Sequence, residues 1–370
     1  MTGLIFTIAA LLILVIVILV LRISQLTKVM RGEAAHHVGF SNKVNAILLP
    51  TVFFAGLVGI YFSFMASRPY YLPEASSIHG KETDFLFWGT MGLLMVAFVI
   101  TNALLFVFPY LYQYKEGKKA YFYPDNHKLE LIWTIIPAIV MATLVFFGWK
   151  VWAGIMDPAK EKGSEVIEVM GKQFAWQVRY PGADGKLGHH SVKFMDETNE
   201  FGIDLADSAS YDDFTPRELH LPKGKTVTLH IRARDVLHSV FLPHFRVKMD
   251  AVPGMPTKFT FTPTKSTAEM RKETGNPKFN YELACTEVCG RGHYAMRYLV
   301  VVDEQADYDK WKKEQQTWVE VNADYVAHHP RTKKSLAPAA PKVEAAEHAP
   351  ADTTASAEGD STKVDSNSHK

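Results

Sequence analysis

The chain has 370 residues, and its 40 basic and 39 acidic side chains leave a formal net charge of +1 at pH 7. This balance, with no basic stripe, argues against a nucleic-acid partner, and two cysteines are too few for a disulfide scaffold. The chain has room for two or three domains. Its first ~155 residues are strongly apolar and the remainder is polar, which predicts a membrane part followed by a soluble part.

Four apolar runs lie in the first part of the chain, and each reaches the roughly 20 residues needed to cross a bilayer. They cover residues 3–23, 44–66, 85–112 and 131–152. The first run has no positively charged residue before it and no small-residue cleavage site after it, which favours an uncleaved span over a signal peptide. We therefore expect four transmembrane helices.

Positive charge is concentrated in two of the three loops between these spans. Four basic residues lie between the end of the first span and the second span, and four lie in the loop after the third span: Arg22, Lys28, Arg31 and Lys43, then Lys115, Lys118, Lys119 and Lys128. Because positively charged loops stay in the cytoplasm, the N-terminus and everything after residue 152 are expected on the periplasmic side of a bacterial inner (plasma) membrane.

The sequence pattern changes to short strand-like segments after residue 152. Segments 165–170, 226–233, 258–262 and 297–302 have the alternation or composition of strands, and the second predicts a half-buried strand. Turn residues separate them, so we predict a small antiparallel sandwich or barrel. The polar, irregular segment 181–216 is interpreted as an insertion between strands.

Two further segments follow the predicted strands. Residues 306–325 favour a helix, and residues 333–370 are rich in Ala, Pro, Glu, Lys, Thr and Ser without an apolar period, which predicts a disordered tail. The predicted domains are two extra transmembrane helices (1–68), a transmembrane hairpin (69–155), a β domain (156–305), a helical extension (306–332) and the tail (333–370).

Both cysteines lie in one short segment, ACTEVCGRGHYAM, as Cys285 and Cys289, and His293 and Met296 follow them. Two thiolates, an imidazole and a thioether are soft or borderline donors, which suit copper far better than magnesium or calcium. The spacing is typical of a copper loop between two strands of a cupredoxin. Such a site needs one more imidazole from a distant strand.

The best candidate for that imidazole is His238, which comes directly after the strand predicted at 226–233. His244 is near but follows Pro243 and is harder to place. Two other interpretations of the cysteines remain open from the residues alone. A disulfide is possible outside the cytoplasm. The cysteine spacing also permits zinc, although a thioether is not a usual zinc ligand and no His-x3–5-His pair follows.

Three motifs make the chain resemble subunit II of haem-copper cytochrome c oxidases over about residues 85–303. They are CTEVCGRGHYAM, then DVLHSVFLPHFRVKMDAVPGMPT at 235–257, and LELIWTIIPA at 129–138 in the second helix of the hairpin. The motifs occur in the order of that family. The first two spans and the tail lie outside the shared region.

The resemblance implies a membrane-anchored α + β protein with a periplasmic, cupredoxin-like domain that holds the binuclear copper A centre. Cys285 and Cys289 would supply two bridging thiolates, and His238 and His293 would each bind one copper. Met296 and the main-chain carbonyl of Glu287 would be the two weak axial ligands. The side chain of Glu287 would face subunit I and hold a magnesium or manganese ion.

The resemblance also assigns roles outside the copper loop. Glu130 is an ordinary interfacial carboxylate from the residues alone, but it matches a carboxylate at the mouth of a proton channel in subunit I. The family has an aromatic segment that receives electrons, and here it reads Gly-Lys-Gln-Phe-Ala-Trp, with Phe174 in place of the usual first tryptophan and Trp176 after it. We therefore expect the donor to be a cytochrome c, or a cytochrome c domain of a quinol-oxidising complex in a supercomplex.

The implied function is that of a subunit of a respiratory terminal oxidase, an oxidoreductase. It would pass electrons from the periplasmic donor to haem in subunit I, where O2 is reduced to water with proton translocation. Subunits I and III and membrane lipid would be its partners, and all haems would lie in the partner subunit. The alternatives are a quinol-oxidase relative that has lost the copper ligands, nitrous oxide reductase, and a membrane-anchored copper-binding or assembly protein without an electron-transfer role. The first is disfavoured by the intact ligand set and the second by the membrane hairpin.

Overall fold

A computed structural model describes residues 2–31, 40–71, 73–115 and 117–330. The described part of the chain consists of long apolar helices followed by a β domain with short helices at its C-terminal end. The tail predicted to be disordered, residues 333–370, lies outside the described residues.

Four helices are long and apolar enough to cross a membrane, as predicted. They are α1 (Thr2–Met30), α2 (Phe40–Ser67), α3 (Ile78–Leu111) and α4 (His127–Met156). The last two begin before the predicted apolar runs because capping residues set their N-termini. The Ser77 side chain accepts a hydrogen bond from the Gly80 amide, and the Asn126 side chain accepts one from the Leu129 amide.

The β domain is a sandwich of a four-stranded and a five-stranded sheet, which confirms the predicted architecture. Its strands are β1 (Glu165–Lys172), β2 (Ala175–Arg179), β3 (Leu219–Pro222), β4 (Val227–Ala233), β5 (His238–Leu242), β6 (Val247–Ala251), β7 (Thr257–Phe261), β8 (Tyr281–Cys285) and β9 (Arg297–Asp303). The sheet orders are β2-β1-β4-β7 and β3-β9-β8-β5-β6. Side chains such as Leu229, Val240 and Leu283 are fully buried in the core between the sheets.

The prediction of an antiparallel sandwich is wrong for two of the strand pairs. Strand β1 pairs with β4 in parallel, and β3 pairs with β9 in parallel. Parallel neighbours need long crossover connections. The chain supplies these connections, since residues 173–226 separate β1 from β4 and residues 223–296 separate β3 from β9. Local alternation in the sequence carries no information about these long-range pairings.

The prediction of a half-buried β4 is also wrong, because its polar face is covered as well. Thr228 is fully buried and its hydroxyl is hydrogen-bonded to both Ser164 and Thr260. Arg232 is buried too and forms an ion pair with Glu168 of β1. Buried polar side chains are tolerated where they have hydrogen-bond or ion-pair partners. The alternation of polar and apolar residues therefore underestimated how much of β4 is buried.

Five shorter helices accompany the β domain: α5 (Pro158–Glu161), α6 (Thr267–Thr274), α7 (Gln305–Lys313), α8 (Trp318–Val321) and α9 (Ala323–His328). The single helix predicted at 306–325 is therefore broken into three. The break lies where Thr317 caps a new helix and the Trp318 amide donates a hydrogen bond to the Asp213 carbonyl, 2.7 Å away. Contact with the insertion overrides the local helical preference.

The segment interpreted as an insertion, residues 181–216, contains only short 3-10 turns and is anchored by a small hydrophobic cluster of its own. That cluster combines one residue of β1, three of the insertion and two of the C-terminal helices: Met170, Phe201, Ile203, Leu205, Trp318 and Val326. All six are buried. The insertion and the C-terminal helices therefore pack against the β domain as one unit.

The start of α3 is attached directly to the β domain. The Ser76 amide donates to the His244 carbonyl, and the Ser77 hydroxyl donates to the Phe245 carbonyl, both at 2.7 Å. Arg246 forms a two-nitrogen ion pair with Asp84, at 2.7 and 2.9 Å. The hairpin and the β domain are thus joined by buried hydrogen bonds as well as by the chain.

Candidate metal centre

The residues of the predicted site come from loops at one end of the sandwich. Strands β1, β4 and β8 all finish at this end, and β5 begins there. The turn at 173–174, the loop at 234–237 and the loop at 286–296 therefore lie side by side. Residues that are more than 100 positions apart in the sequence are brought together in this way.

His238 is the first residue of β5 and is fully buried. Its Nε2 lies 2.8 Å from Oδ1 of Asp235, which is three residues earlier in the same loop. This contact orients the ring so that Nδ1 faces the Cys285 sulfur, at 3.9 Å. A carboxylate on one ring nitrogen is the usual way in which a protein orients an imidazole for a metal on the other nitrogen.

The two cysteines are buried, and both thiols are free. Together with His238, their ligand atoms lie within 4.8 Å of one another, which makes a three-residue group able to hold a metal ion. The Cys285 sulfur lies 3.3 Å from the carbonyl oxygen of Glu287. Soft donors and one carbonyl thus converge on a single buried point.

The last two predicted ligands approach the second sulfur. The Cys289 sulfur lies 3.7 Å from Nδ1 of His293 and 3.6 Å from the sulfur of Met296. The structure therefore brings all six predicted residues together. His244, the weaker imidazole candidate, lies beyond the opposite end of β5 and packs against Phe279.

The backbone of the metal loop is held at several points. The Cys285 amide donates to the Met296 carbonyl and the Thr286 amide donates to the Ser239 carbonyl, each at 3.2 Å. The φ angle of Gly290 is 135°, in a region of backbone conformation that residues other than glycine rarely adopt. Backbone hydrogen bonds within the protein therefore hold the loop in this geometry.

The electrostatics of the site favour a bound cation. Burial, and then the neighbouring Cys285 sulfur, raise the pKa of the Cys289 thiol to about 11. Two thiolates at this position are stable only with positive charge between them. The donor set of two sulfurs, two imidazole nitrogens, a thioether and a carbonyl fits copper, and the thioether distinguishes it from the usual zinc set.

The aromatic residues predicted for electron input lie beside this loop. The Phe174 ring packs on Gly290 and Gly292, where an added Cβ on Gly292 would come within 2.5 Å of the ring. Phe174 is also 42% exposed, so it reaches from solvent to the metal loop. Trp176 is buried, and its ring meets the His238 ring edge-on with 5.9 Å between centroids.

Two carboxylates with predicted roles lie apart from these ligand atoms. The Glu287 carboxylate is partly exposed and makes no hydrogen bond or ion pair with the described part of the chain. Glu130 lies in the first turn of α4, with its carboxylate 3.1 Å from Nδ1 of His127. It is at the end of α4 remote from the β domain, about 40 Å away along the helix axis.

Sequence reasoning missed two residues that support the site. Asp235 holds His238, and its other carboxylate oxygen accepts a 2.7 Å hydrogen bond from the Gln173 amide. Partial burial opposes ionisation of Asp235, but these hydrogen bonds prevail and lower its pKa. The Gln173 side chain donates to the Cys289 carbonyl at 2.6 Å. The aspartate three residues before His238 was a usable signal, whereas nothing local pointed to Gln173.

Comparison with known proteins finds two matching family domains. Residues 66–151 match the family domain described as cytochrome C oxidase subunit II, transmembrane domain, and residues 165–304 match the periplasmic domain of the same subunit. The two ranges cover α3, most of α4 and the whole β sandwich.

Individual relatives are similar over most of their lengths. One is an alternative cytochrome c oxidase subunit 2 of Bradyrhizobium diazoefficiens, 34% identical over 64% of this chain and 79% of the relative. Another is a cytochrome c oxidase subunit 2 of Thermostichus vulcanus, 28% identical over 71% of this chain and 84% of the relative.

The solved structures that are similar include the periplasmic domain of subunit II of cytochrome oxidase from Bradyrhizobium japonicum. It is 23% identical, with a TM-score of 0.29, over 41% of this chain and 93% of that one. A chain of a heme-copper terminal oxidase dimer, solved by cryo-EM, is 16% identical with a TM-score of 0.26, over 46% of this chain and 97% of that one.

Proposed function

The chain belongs to the cytochrome c oxidase subunit II family, and from that premise we propose that it is the copper A-bearing electron-transfer subunit of a respiratory haem-copper oxidase. The observation that carries this proposal is the convergence of two buried free thiols on two imidazole Nδ1 atoms, a thioether and a carbonyl. A buried set of soft donors with no protein cation among them is suited to a metal rather than to packing.

The proposed ligands follow from the distances. Cys285 and Cys289 would hold the copper through their thiolates, and His238 and His293, each next to a different cysteine sulfur, would hold it through Nδ1. The Met296 thioether and the Glu287 carbonyl, each next to one cysteine sulfur, would complete the ligand set. When bound, the copper pair supplies a one-electron carrier whose geometry changes little between its two oxidation states.

The chain's own residues contribute rigidity and exclusion of water. Asp235 fixes the His238 ring, and Gln173 fixes the loop backbone through the Cys289 carbonyl. Trp176 covers the His238 ring on the interior side. A site with a fixed ligand cage needs little reorganisation at the moment of electron transfer, which favours a fast reaction.

The proposed direction of electron flow is from a periplasmic c-type cytochrome, through the copper site, to haem in subunit I. A bacterial inner-membrane location with the β domain and the N-terminus in the periplasm is supported by four apolar helices and by the loop charges. In this proposal O2 is reduced to water, with proton translocation, in subunit I, and subunit III completes the complex.

Two carboxylates have separate proposed roles. The Glu287 side chain would hold magnesium or manganese at the contact with subunit I, which is supported by its partly exposed carboxylate next to the copper loop. Glu130, at the cytoplasmic end of α4, would serve proton uptake into subunit I, which is supported by its exposure and its position at a helix end.

The proposed function can be tested by rapid mixing of the oxidised oxidase complex with a reduced c-type cytochrome in the absence of O2. The expected result is reduction of the copper site, seen by its absorbance, before reduction of haem in subunit I. Haem reduction without prior copper reduction would contradict the proposal. Purification of the chain with labile copper but without oxidase subunits would support the alternative, a membrane-anchored copper-binding or assembly protein.

A further inference from the structure

Gly171 lies inside β1, opposite Trp176 of β2 on one side and Ala233 of β4 on the other. It does not belong to the glycines of the described chain whose φ is positive, so its backbone conformation is one that other residues adopt as well. A glycine inside a strand weakens the sheet, and it often marks a place where another group approaches the backbone closely. The reason for a glycine at this position is therefore expected in the space around it.

The group that approaches Gly171 is the imidazole of His238. A Cβ atom added at position 171 would lie 2.9 Å from Cδ2 and 3.0 Å from Cγ of His238, and 3.0 Å from Cζ3 of Trp176. Carbon atoms in favourable contact are about 3.5–4.0 Å apart. Any side chain at this position would therefore come too close to both rings, by roughly 0.5–1 Å.

The His238 ring has little freedom to move away from an added side chain. It is fully buried, and its Nε2 lies 2.8 Å from the Asp235 carboxylate. Its Nδ1 faces the Cys285 sulfur at 3.9 Å, and its Cγ–Cδ2 edge borders Gly171. A shift of the ring would therefore alter its contact with Asp235 or the direction of Nδ1. We call the three residues around the ring, Gly171, Trp176 and Asp235, the His238 seat.

Gly171 also holds the loop that carries Asp235. The Arg234 amide donates to the Gly171 carbonyl at 2.9 Å, and the Asp235 carboxylate accepts a hydrogen bond from the Gln173 amide at 2.7 Å. The end of β1 and the loop before β5 are thus connected at two points. The position of Asp235 relative to the imidazole depends on the same strand that borders the ring.

The other imidazole of the site has no comparable seat. His293 is partly exposed in a short 3-10 turn, His293–Ala295. Within the described residues its side chain has no hydrogen bond, ion pair or ring contact apart from the 3.7 Å approach of Nδ1 to the Cys289 sulfur. The β sandwich therefore fixes His238 more firmly than His293, and a side chain at position 171 should act on His238 alone.

Resting on the proposed function, we propose that Gly171 is a positioning residue for the copper site, because its missing side chain lets the His238 imidazole lie where Nδ1 can bind copper. Metal–ligand distances in proteins vary by only about 0.2 Å. Displacement of the ring by roughly 0.5–1 Å would therefore weaken the copper–nitrogen bond. A weaker nitrogen donor leaves the soft sulfur ligands dominant, which favours reduced over oxidised copper. The midpoint potential of the site should then rise.

The test is Gly171→Ala in the purified oxidase complex. The electron paramagnetic resonance spectrum reports the copper hyperfine pattern, a redox titration followed by absorbance gives the midpoint potential, and competition with a chelator gives the copper affinity. We expect a changed hyperfine pattern, a higher potential and an affinity lower by about 10–100-fold, as for loss of a group that orients a metal ligand. A copper-loaded Gly171→Ala complex with the wild-type spectrum and potential would overturn the proposal.

The matched control is Gly182→Ala, which adds the same methyl group in a crowded place away from the metal ligands. A Cβ atom at Gly182 would lie 2.1 Å from the carbonyl oxygen of Asp212, and its three nearest atoms all belong to Asp212. This variant should also lower the free energy of unfolding, but its copper spectrum and potential should be those of the wild type. Equal changes at the copper site in Gly171→Ala and Gly182→Ala would overturn the proposal, because general loss of packing would then explain both.

A double variant keeps the test decisive if Gly171→Ala alone does not fold. In Gly171→Ala/Trp176→Phe, the smaller ring removes the contact with Cζ3 but leaves both contacts with His238. The complex should then fold, with a copper spectrum and potential that still differ from those of Trp176→Phe alone. Equal spectra and potentials for the double variant and Trp176→Phe would overturn the proposal, since the glycine would then serve only to accommodate Trp176.

The wild-type complex separates failure of this inference from failure of the proposed function. If the wild type shows a redox-active copper site that Gly171→Ala leaves unchanged, only the role of Gly171 is overturned. If the wild type holds no redox-active copper, the proposed function is overturned, and the role of Gly171 with it.

Discussion

The β domain buries two polar clusters that are satisfied in different ways. The ionic cluster on β1, β2, β4 and the insertion is neutralised by the protein itself. The Arg179 guanidinium lies 2.5 Å from Glu168 and 3.0 Å from Asp213 and donates to the Gly188 carbonyl at 3.1 Å, while Arg232 also pairs with Glu168. The metal cluster has two sulfurs and two imidazoles within reach of one another but no protein cation among its ligand atoms.

The difference indicates which buried polar groups are structural and which are functional. Two arginines pair with two acidic side chains, so the ionic cluster is held together by the chain's own residues. The Cys289 thiol, whose pKa is raised to about 11, has no such compensation and needs a bound cation to become a thiolate. Changes at the metal cluster should therefore affect electron transfer, and changes at the ionic cluster should affect stability.

The largest effect is expected for Cys289→Ser at the metal cluster. Loss of a bridging thiolate should reduce electron transfer to haem by more than about 100-fold, because even changes in the groups that orient metal ligands cost 10–100-fold. Membrane insertion and assembly with the haem-bearing subunit should be unchanged. Oxidase activity and copper content provide the measurement, with Val288→Ala, an exposed position in the same loop, as control. Normal activity of Cys289→Ser would contradict the assignment.

Arg179→Met should give the opposite result, a large loss of stability with the copper spectrum intact. Removing Arg179 leaves Asp213 without its cation and Glu168 with Arg232 alone, and breaking a buried ion pair in this way costs about 3–5 kcal/mol. Chemical unfolding of the complex, followed by near-ultraviolet circular dichroism, measures this cost. Lys223→Met, which breaks an exposed ion pair, should cost no more than about 1 kcal/mol. Similar costs for the two variants would show that the ionic cluster is not a structural element.

Asp235→Ala tests whether the metal cluster depends on its supporting groups. The variant removes the acceptor that orients His238, and we expect copper affinity to fall by about 10–100-fold. Competition with a copper chelator measures the affinity. Asp235→Asn keeps an acceptor oxygen, so its copper affinity should lie between that of the wild type and that of the alanine variant. Unchanged affinity in both variants would mean that packing alone orients the imidazole.

The last prediction is a pH dependence at the ionic cluster. Burial outweighs the attraction of Arg179 and raises the pKa of Asp213 from 3.8 to about 7. The folded protein then holds a proton that the unfolded chain has released, so this group should make the free energy of unfolding fall as pH rises from about 4 to about 7. Asp213→Asn should lose this component of the pH profile. Identical profiles for the two proteins would contradict the assignment.

The parts of the fold that depend on local pattern could be predicted, and those that depend on distant contacts could not. Hydropathy located the four apolar helices, and alternation or composition located four of the nine strands of the sandwich, β1, β4, β7 and β9. The parallel pairing of β1 with β4 and the burial of Thr228 both depend on elements far away in the sequence. The break before Trp318 depends on its contact with Asp213 in the insertion.

The candidate site shows the same division. The chemical types and spacing of Cys285, Cys289, His293 and Met296 were sufficient to propose a copper loop, and His238 followed from its position after a strand. The residues that hold these ligands could not be found in that way. Gln173 reaches the Cys289 carbonyl from a turn 116 residues away, and only the folded chain brings the two together.

The most direct test of the central claim is the metal content of the purified complex together with its electron paramagnetic resonance spectrum. The account predicts two copper ions in this chain, sharing one unpaired electron in the oxidised state, with no zinc at the site. A single copper, zinc, or a disulfide between Cys285 and Cys289 in the mature complex would contradict it.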